Sequence, residues 1–281
     1  MTYIEIRVTA PEESHDALIS KMSEMGSTGF IEEDKVLTGY FDSRQSPAEL
    51  CDELGRFRSV LDASGLDASF SLSPAVLAET DWNETWKKSF VPIDVGNNLT
   101  IVPSWLQTET DRIPIIIDPG MVFGTGHHET TRTCLGMIEK IACLGSRRRF
   151  LDIGTGTGIL AIGASRLGFE RVTAVDIDPL AVDAARRNAA ANGLTNIEVL
   201  EGTIQAVSGR FDVIAANLLV EILTGIASEL SGRLELNGKA ILSGLLAGQE
   251  DSVIEAMRSS GLALQEKIID NKWVSLVMAK E

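Results

Sequence analysis

Apolar positions along this chain follow one rhythm up to about residue 72 and another from about residue 99 onward. Residues 3–9 alternate apolar and polar as a half-buried strand does. Residues 11–25 then place Leu18, Ile19, Met22 and Met25 on one helical face, and Gly26 ends the run. Two short strand-like runs follow at 29–32 and 36–41, joined through Glu33-Asp34-Lys35. A second helix is predicted from Pro47 to about Ser64, with Leu50, Leu54, Phe57 and Leu61 near helical spacing, and a last strand at about 68–72. The order β-α-β-β-α-β is that of a small α+β ferredoxin-like domain over residues 1–72. No acid, base and nucleophile cluster in it, which points to recognition or packing rather than chemistry. Residues 73–98 read as a connector in which Trp82 and Trp86 stand one helical turn apart, on a side that packs it against a domain, with a ligand-facing aromatic box as the other reading.

From 99 to 281 strand and helix alternate, the signature of an α/β doubly wound sheet. Extended segments are predicted at 99–102 and 113–117, a helix near 129–143, a strand at 149–153 and a helix at about 158–167. A strand at 171–176 and an Ala-rich helix at 179–192, stopped by Gly193, make the next unit. Further strands fall near 197–200, 213–216 and 240–243, with helices over about 219–231 and 248–260. The last two strands, 262–269 and 273–278, flank Asp270-Asn271-Lys272 and read as a closing antiparallel hairpin. Parallel strands ending in such a hairpin predict a seven-stranded methyltransferase sheet rather than a plain dinucleotide fold.

Composition adds bounds. Hydrophobic residues make up 44% and charged residues 23%, as in ordinary globular proteins. No apolar run approaches the roughly 18 residues of a membrane span. The N-terminus, Met1 to Arg7, lacks the basic-then-apolar build of a secretory signal. Cys51, Cys134 and Cys143 are scattered and outside metal-ligand spacing. A reduced cytoplasmic protein with no membrane partner is expected, with a monomer as the default. The net charge of −15 argues against broad nucleic-acid binding and suits either solubility or a basic protein partner.

The chemistry begins at Leu151-Asp152-Ile153-Gly154-Thr155-Gly156-Thr157-Gly158, with Asp176 ending the next strand. A dinucleotide fingerprint requires G-x-G-x-x-G, and Ile159 stands where its third glycine belongs. Asp152 before the loop would repel a pyrophosphate and attract a cation. S-adenosylmethionine carries a ribose, an ammonium and a sulfonium, and no phosphate. Gly154 and Gly156 would let main chain approach it, Asp152 would attract the ammonium, and Asp176 would accept from the two ribose hydroxyls.

Two further segments bear on the reaction. Asp118 to Thr131 contains Gly124-Thr125-Gly126-His127-His128-Glu129-Thr130-Thr131, a glycine-flanked turn into a helix, where backbone N–H groups and Thr130 or Thr131 could hold a carboxylate. A lid over the cofactor is the other reading. His127-His128-Glu129 has no H-E-x-x-H spacing and no third ligand, so no metal is expected, while a histidine base stays open. The strand 213–216 leads into Asn217, whose carbonyl can accept from an amine hydrogen and aim the nitrogen lone pair. Leu218, Leu219 and Val220 follow it in place of a stacking aromatic, which favours an aliphatic amine over a planar base.

With Val175-Asp176-Ile177-Asp178-Pro179, Ala216-Asn217-Leu218 and the connector's Asp81-Trp82 and Trp86, these motifs resemble the bacterial methyltransferases of large-subunit ribosomal protein eleven, the PrmA family. The resemblance runs from Asp81 to the end, while residues 1–70 match in length and topology only. It implies a class I S-adenosylmethionine-dependent methyltransferase fold with cofactor contacts at Thr131, Gly154, Asp176 and Asn217. It also implies a basic ribosomal protein as partner, alone or on the ribosome, with the N-terminal module presenting it. That family methylates lysine side chains and an N-terminal α-amine, often to the trimethyl state. The rival readings are a same-fold enzyme acting on another protein, a small molecule or RNA, a nicotinamide oxidoreductase, and a non-catalytic scaffold.

Overall fold

The N-terminal alternation becomes strand β1 (Tyr3–Thr9), whose Ile4, Ile6 and Val8 are all buried. The computed structural model describes residues 3–27, 29–33, 35–63, 67–77, 91–106, 108–118, 126 and 128–280, in two units, Met1–Phe90 and Val91–Glu281. In the first unit α1 (His15–Glu24), β2 (Gly29–Glu33), β3 (Val36–Asp42), α2 (Pro47–Ala63) and β4 (Ser71–Leu77) follow β1. The antiparallel sheet has the order β2-β3-β1-β4, the ferredoxin-like arrangement expected. Leu18 and Met22 of α1 and Leu50, Leu54 and Leu61 of α2 join β1 in one apolar core. Strand β4 begins later than the predicted 68–72 and continues through Pro74 to Leu77. Proline lacks the N–H of an inner strand, but β4 lies at the sheet edge, where that costs nothing.

The second unit opens with a three-stranded sheet, β5 (Ile93–Val95), β6 (Leu99–Pro103) and β7 (Ile113–Ile117). Helix α3 (Glu129–Leu144) leads into β8 (Arg149–Ile153), α4 (Ile159–Arg166), β9 (Arg171–Asp176), α5 (Pro179–Ala191), β10 (Ile197–Glu201) and β11 (Phe211–Asn217). Then come α6 (Val220–Gly225), α7 (Ala227–Arg233), β12 (Leu234–Leu246), α8 (Glu250–Ser259), β13 (Leu262–Asp270) and β14 (Trp273–Lys280). The seven-stranded sheet has the order β10-β9-β8-β11-β12-β14-β13, parallel as far as β12 and closed by the antiparallel hairpin. Successive residues serve opposite faces. Phe150, Val213, Ala215 and Ile241 pack towards α3 and α4, while Leu151, Ile214, Ala216 and Leu242 join the core under α6 to α8.

Two elements differ from the sequence expectation. The single helix over about 219–231 is two short ones, broken at Ile226 after Thr224 turns its hydroxyl back to Val220 O and Glu221 O. The strand predicted at 240–243 is the middle of a longer β12, masked in the sequence by Glu235, Asn237 and Gly238. The strand order reverses between β8 and β11. That reversal opens a crevice beyond the carboxyl ends of these strands, where α/β sheets bind ligands.

Candidate active site

At the end of β8 the main chain turns through Gly154 (φ +70°) and Gly156 (φ +55°) into α4. The N–H groups of Gly154 and Thr155 both donate to Val175 O, at 2.9 and 3.1 Å, so the loop is stitched to the end of β9. Gly156 N donates to Asp176 Oδ2 (2.9 Å) and Asp178 N to Asp176 Oδ1 (3.1 Å). Main-chain donors thus orient the half-buried Asp176 carboxylate, and each oxygen keeps a lone pair for a ligand. A Cβ at Gly154 would lie 2.4 Å from Leu218 Cδ2, which places the glycine turn directly against the residue after Asn217.

Asp152 sits beneath this loop with no exposed surface. Its Oδ2 accepts from Thr155 Oγ1 (2.6 Å) and Ala161 N (3.2 Å), while Oδ1 has no partner among the described residues. Burial pushes its carboxyl up to about 7, and the negative charge of Asp176 adds to the rise, against the opposing pull of those two hydrogen bonds. Burial likewise pushes the neighbouring Cys134 thiol up to about 12, which leaves it an inert packing group.

The end of β11 is built from side chains. His128 caps α3, accepting from Thr130 N (3.4 Å) at Nδ1, and Thr130 Oγ1 lies 2.7 Å from the same nitrogen. A backbone N–H only donates, so Nδ1 is the acceptor and the Thr130 hydroxyl donates to it. Thr130 Oγ1 in turn accepts from Asn217 Nδ2 (3.1 Å). This chain of bonds fixes the polarity of the Asn217 amide and leaves Oδ1 to accept from something else. Gly244 (φ +88°) makes room for it, since a Cβ there would lie 3.1 Å from Oδ1 and 2.6 Å from Leu218 O. The His128 ring stands edge-on to Trp273, with centroids 4.8 Å apart. Thr131, one residue on, is buried, and its Oγ1 has no partner among the described residues.

The three sequence motifs therefore converge. Gly154 meets Leu218, Asn217 meets Thr130, and Gly126 packs where a Cβ would come within 3.1 Å of Ile159 Cδ1. Residues 119–125, His127 and the connector's Trp82 and Trp86 lie outside the described residues. One organising residue escaped sequence reasoning. The buried Asn188 of α5 donates to Thr157 O (2.8 Å) and accepts from Asp118 N (2.9 Å), tying the glycine loop to the end of β7. An asparagine in an Ala-rich helix was the only hint. Among the described residues no His, Cys, Asp and Glu cluster has the makings of a metal site.

Comparison with known proteins agrees with this geometry. The family model for ribosomal protein L11 methyltransferase (PrmA) matches residues 2–281. A ribosomal protein L11 methyltransferase of Pelotomaculum thermopropionicum is 33% identical over 304 aligned positions, covering 98% of each chain. One from Pelobacter propionicus is 38% identical over 241 positions, covering 77% of this chain and 78% of the relative. Among solved structures, a ribosomal protein L11 methylase from Lactobacillus delbrueckii subsp. bulgaricus is 34% identical with a TM-score of 0.64, covering 68% of this chain and all of that one. The seven-stranded order is accordingly that of the class I methyltransferases, and the chain belongs to the ribosomal protein L11 methyltransferase family.

Proposed function

We propose that this chain transfers methyl groups from S-adenosylmethionine to amino groups of large-subunit ribosomal protein L11, lysine side chains and the N-terminal α-amine among them. The observation that carries the reading is the fixed polarity of Asn217, whose Oδ1 accepts no hydrogen bond among the described residues and whose neighbour Leu218 packs against the glycine turn. S-adenosylmethionine supplies an electrophilic methyl group on a sulfonium.

The chain's own residues supply position. Asp176 would hold the ribose hydroxyls, and Gly154 and Gly156 would let main chain come close. Two buried polar atoms that lack partners among the described residues, Asp152 Oδ1 and Thr131 Oγ1, suit a ligand carrying both a cation and a carboxylate. A cation nearby would favour the ionised form of Asp152, offsetting the burial that now raises its carboxyl to about 7. Asn217 Oδ1 would accept an amine N–H and aim the lone pair at the methyl carbon, work that alignment and a dry pocket accomplish without a strong base. A lysine amine, near 10.4 in water, must first release its proton, while an α-amine near 7.7–8.0 does so more readily. Leu218 is aliphatic and lets a methylated amine rotate and re-enter.

The first unit, with no catalytic grouping among the described residues, is assigned to recognising the substrate protein, and the net charge of −15 steers a basic one. A cytoplasmic, monomeric enzyme without a metal completes the reading. The test is transfer of radiolabelled methyl from S-adenosylmethionine in an extract of unmethylated ribosomes. Label in L11 is expected. Label confined to RNA, or none despite tight cofactor binding, refutes the substrate assignment.

A further inference from the structure

Helix α5 packs largely through alanines, yet it buries two amides. Asn188 is 2% exposed, and Asn192, at the C-terminal cap, is 6% exposed. They stand four residues apart, on one face of the helix. An amide removed from water costs free energy unless it is hydrogen-bonded, so the partners of these two decide what they do. Both meet β7, an edge strand of the three-stranded sheet. Ile116 N donates to Asn192 Oδ1 (2.9 Å), Asn192 Nδ2 donates to Ile116 O (2.6 Å), and Asp118 N donates to Asn188 Oδ1 (2.9 Å). Residues 116 and 118 turn these groups to the same side of the strand, so the two side chains close its edge as a neighbouring strand would.

Of the two, Asn188 also reaches the glycine turn. Its Nδ2 donates to Thr157 O (2.8 Å), whereas the Asn192 amide turns to Ile116 and to Asn188 O. The polarity of Asn188 is forced. A peptide N–H only donates and a carbonyl only accepts, so Oδ1 faces Asp118 and Nδ2 faces Thr157. Its reach is set by a close approach of backbones. A Cβ on Gly158 (φ +85°) would lie 3.1 Å from Ala185 Cα, so this glycine lets α5 come near the turn one helical turn before Asn188.

The two bonds of Asn188 serve different parts of the candidate site. Thr157 belongs to the glycine turn. Asp118 stands where the chain leaves β7 for Gly126, His128 and Thr130, and Thr130 holds Asn217. A planar amide with its donor on one segment and its acceptor on the other fixes their spacing. We propose that Asn188 is a positioning residue for methyl transfer, which holds the glycine turn at a set distance from the segment leading to Thr130. The inference rests on the reading that the glycine turn holds S-adenosylmethionine. Asn192 is the matched control, because it serves β7 without touching the turn through its amide.

The test compares Asn188→Ala with Asn192→Ala in the full chain, by calorimetry with S-adenosylmethionine and by steady-state methylation of ribosomal protein L11. Each substitution leaves buried backbone groups of β7 unpaired, so both should lower Tm. Asn188→Ala should in addition raise the cofactor Kd roughly five- to tenfold, the size of one hydrogen bond, and lower kcat at saturating cofactor by about threefold or more. Asn192→Ala should keep Kd and kcat within about twofold of the wild type, since it removes no bond to the turn. If an alanine variant does not fold, Asn188→Leu and Asn192→Leu, which fill the amide's space without its bonds, decide by the same readings. Equal shifts in the two variants would make Asn188 a packing group and overturn the proposal, as would an unchanged Kd in Asn188→Ala. A raised Kd with kcat intact would confine Asn188 to the turn and overturn it as well. A wild type that binds S-adenosylmethionine but leaves L11 unmodified refutes the substrate assignment alone, and the Kd comparison then decides. A wild type that does not bind the cofactor overturns this inference together with the reading beneath it.

Discussion

At the end of β8 the chain is positioned by its own backbone. Gly154 and Thr155 donate to Val175 O, and Gly156 and Asp178 donate to the two oxygens of Asp176. At the end of β11 the positioning falls to side chains from distant segments, with Asn217 held by Thr130 and Thr130 by His128. A backbone-built half tolerates few residues, and it is the half proposed to hold the cofactor. A side-chain-built half can be loosened without disturbing the first. Cofactor affinity and turnover should therefore respond to different substitutions.

The largest expected effect tests that division directly. Asn217→Ala should lower kcat by about 10²-fold or more through lost alignment, with a smaller change in cofactor Kd. Steady-state kinetics beside calorimetry reads both, and equal losses would break the comparison. Asp176→Ala should weaken S-adenosylmethionine binding about 10- to 100-fold, the value of one or two hydrogen bonds to a charged group, as measured by calorimetry. Gly154→Ala forces a left-handed backbone at roughly 1–2 kcal/mol and pushes on Leu218, so about a tenfold loss of cofactor affinity and a lower Tm are expected. Adding Leu218→Ala should restore only part of it, because the backbone cost remains. Thr130→Val frees the Asn217 amide to turn and should reduce kcat by about 3- to 10-fold with cofactor affinity unchanged, an effect the size of one neutral hydrogen bond.

The smallest effect is in pH. Folded Asp152 keeps its proton up to about 7, whereas the unfolded chain releases it near 3.8. The folded state then binds more protons over that window, so this residue's contribution to stability falls as pH rises through it and stays low above. Asp152→Asn should flatten that part of the Tm profile and melt above the wild type under alkaline conditions. A Tm profile that keeps its slope in the variant would place the titration elsewhere.

The same contrast explains what the sequence revealed. Alternating glycines and an acid at a strand end are local patterns, because a backbone turn and a main-chain tether draw on neighbours, so Gly154, Gly156 and Asp176 were legible. Asn217 was legible as a strand-end amide, but its partner was not, since the bond to Thr130 spans 87 positions and leaves no periodic trace. Thr130 and Thr131 looked equivalent until one turned out to bridge His128 to Asn217 and the other to be buried with no partner among the described residues. Asn188 joins points 31 and 70 positions away and was invisible for the same reason. In the fold, alternation found the inner strands. It failed at β4, where Pro74 masks an edge strand, and in β12, where polar residues interrupt a long one.

The most direct test is mass mapping of unmethylated ribosomal protein L11 after incubation with S-adenosylmethionine and either the wild type or Asn217→Ala. The wild type should add one, two and three methyl groups to amines of L11, and Asn217→Ala should add almost none while still binding the cofactor. An unmodified L11 with a cofactor-loaded wild type, or equal methylation by the variant, would contradict the account.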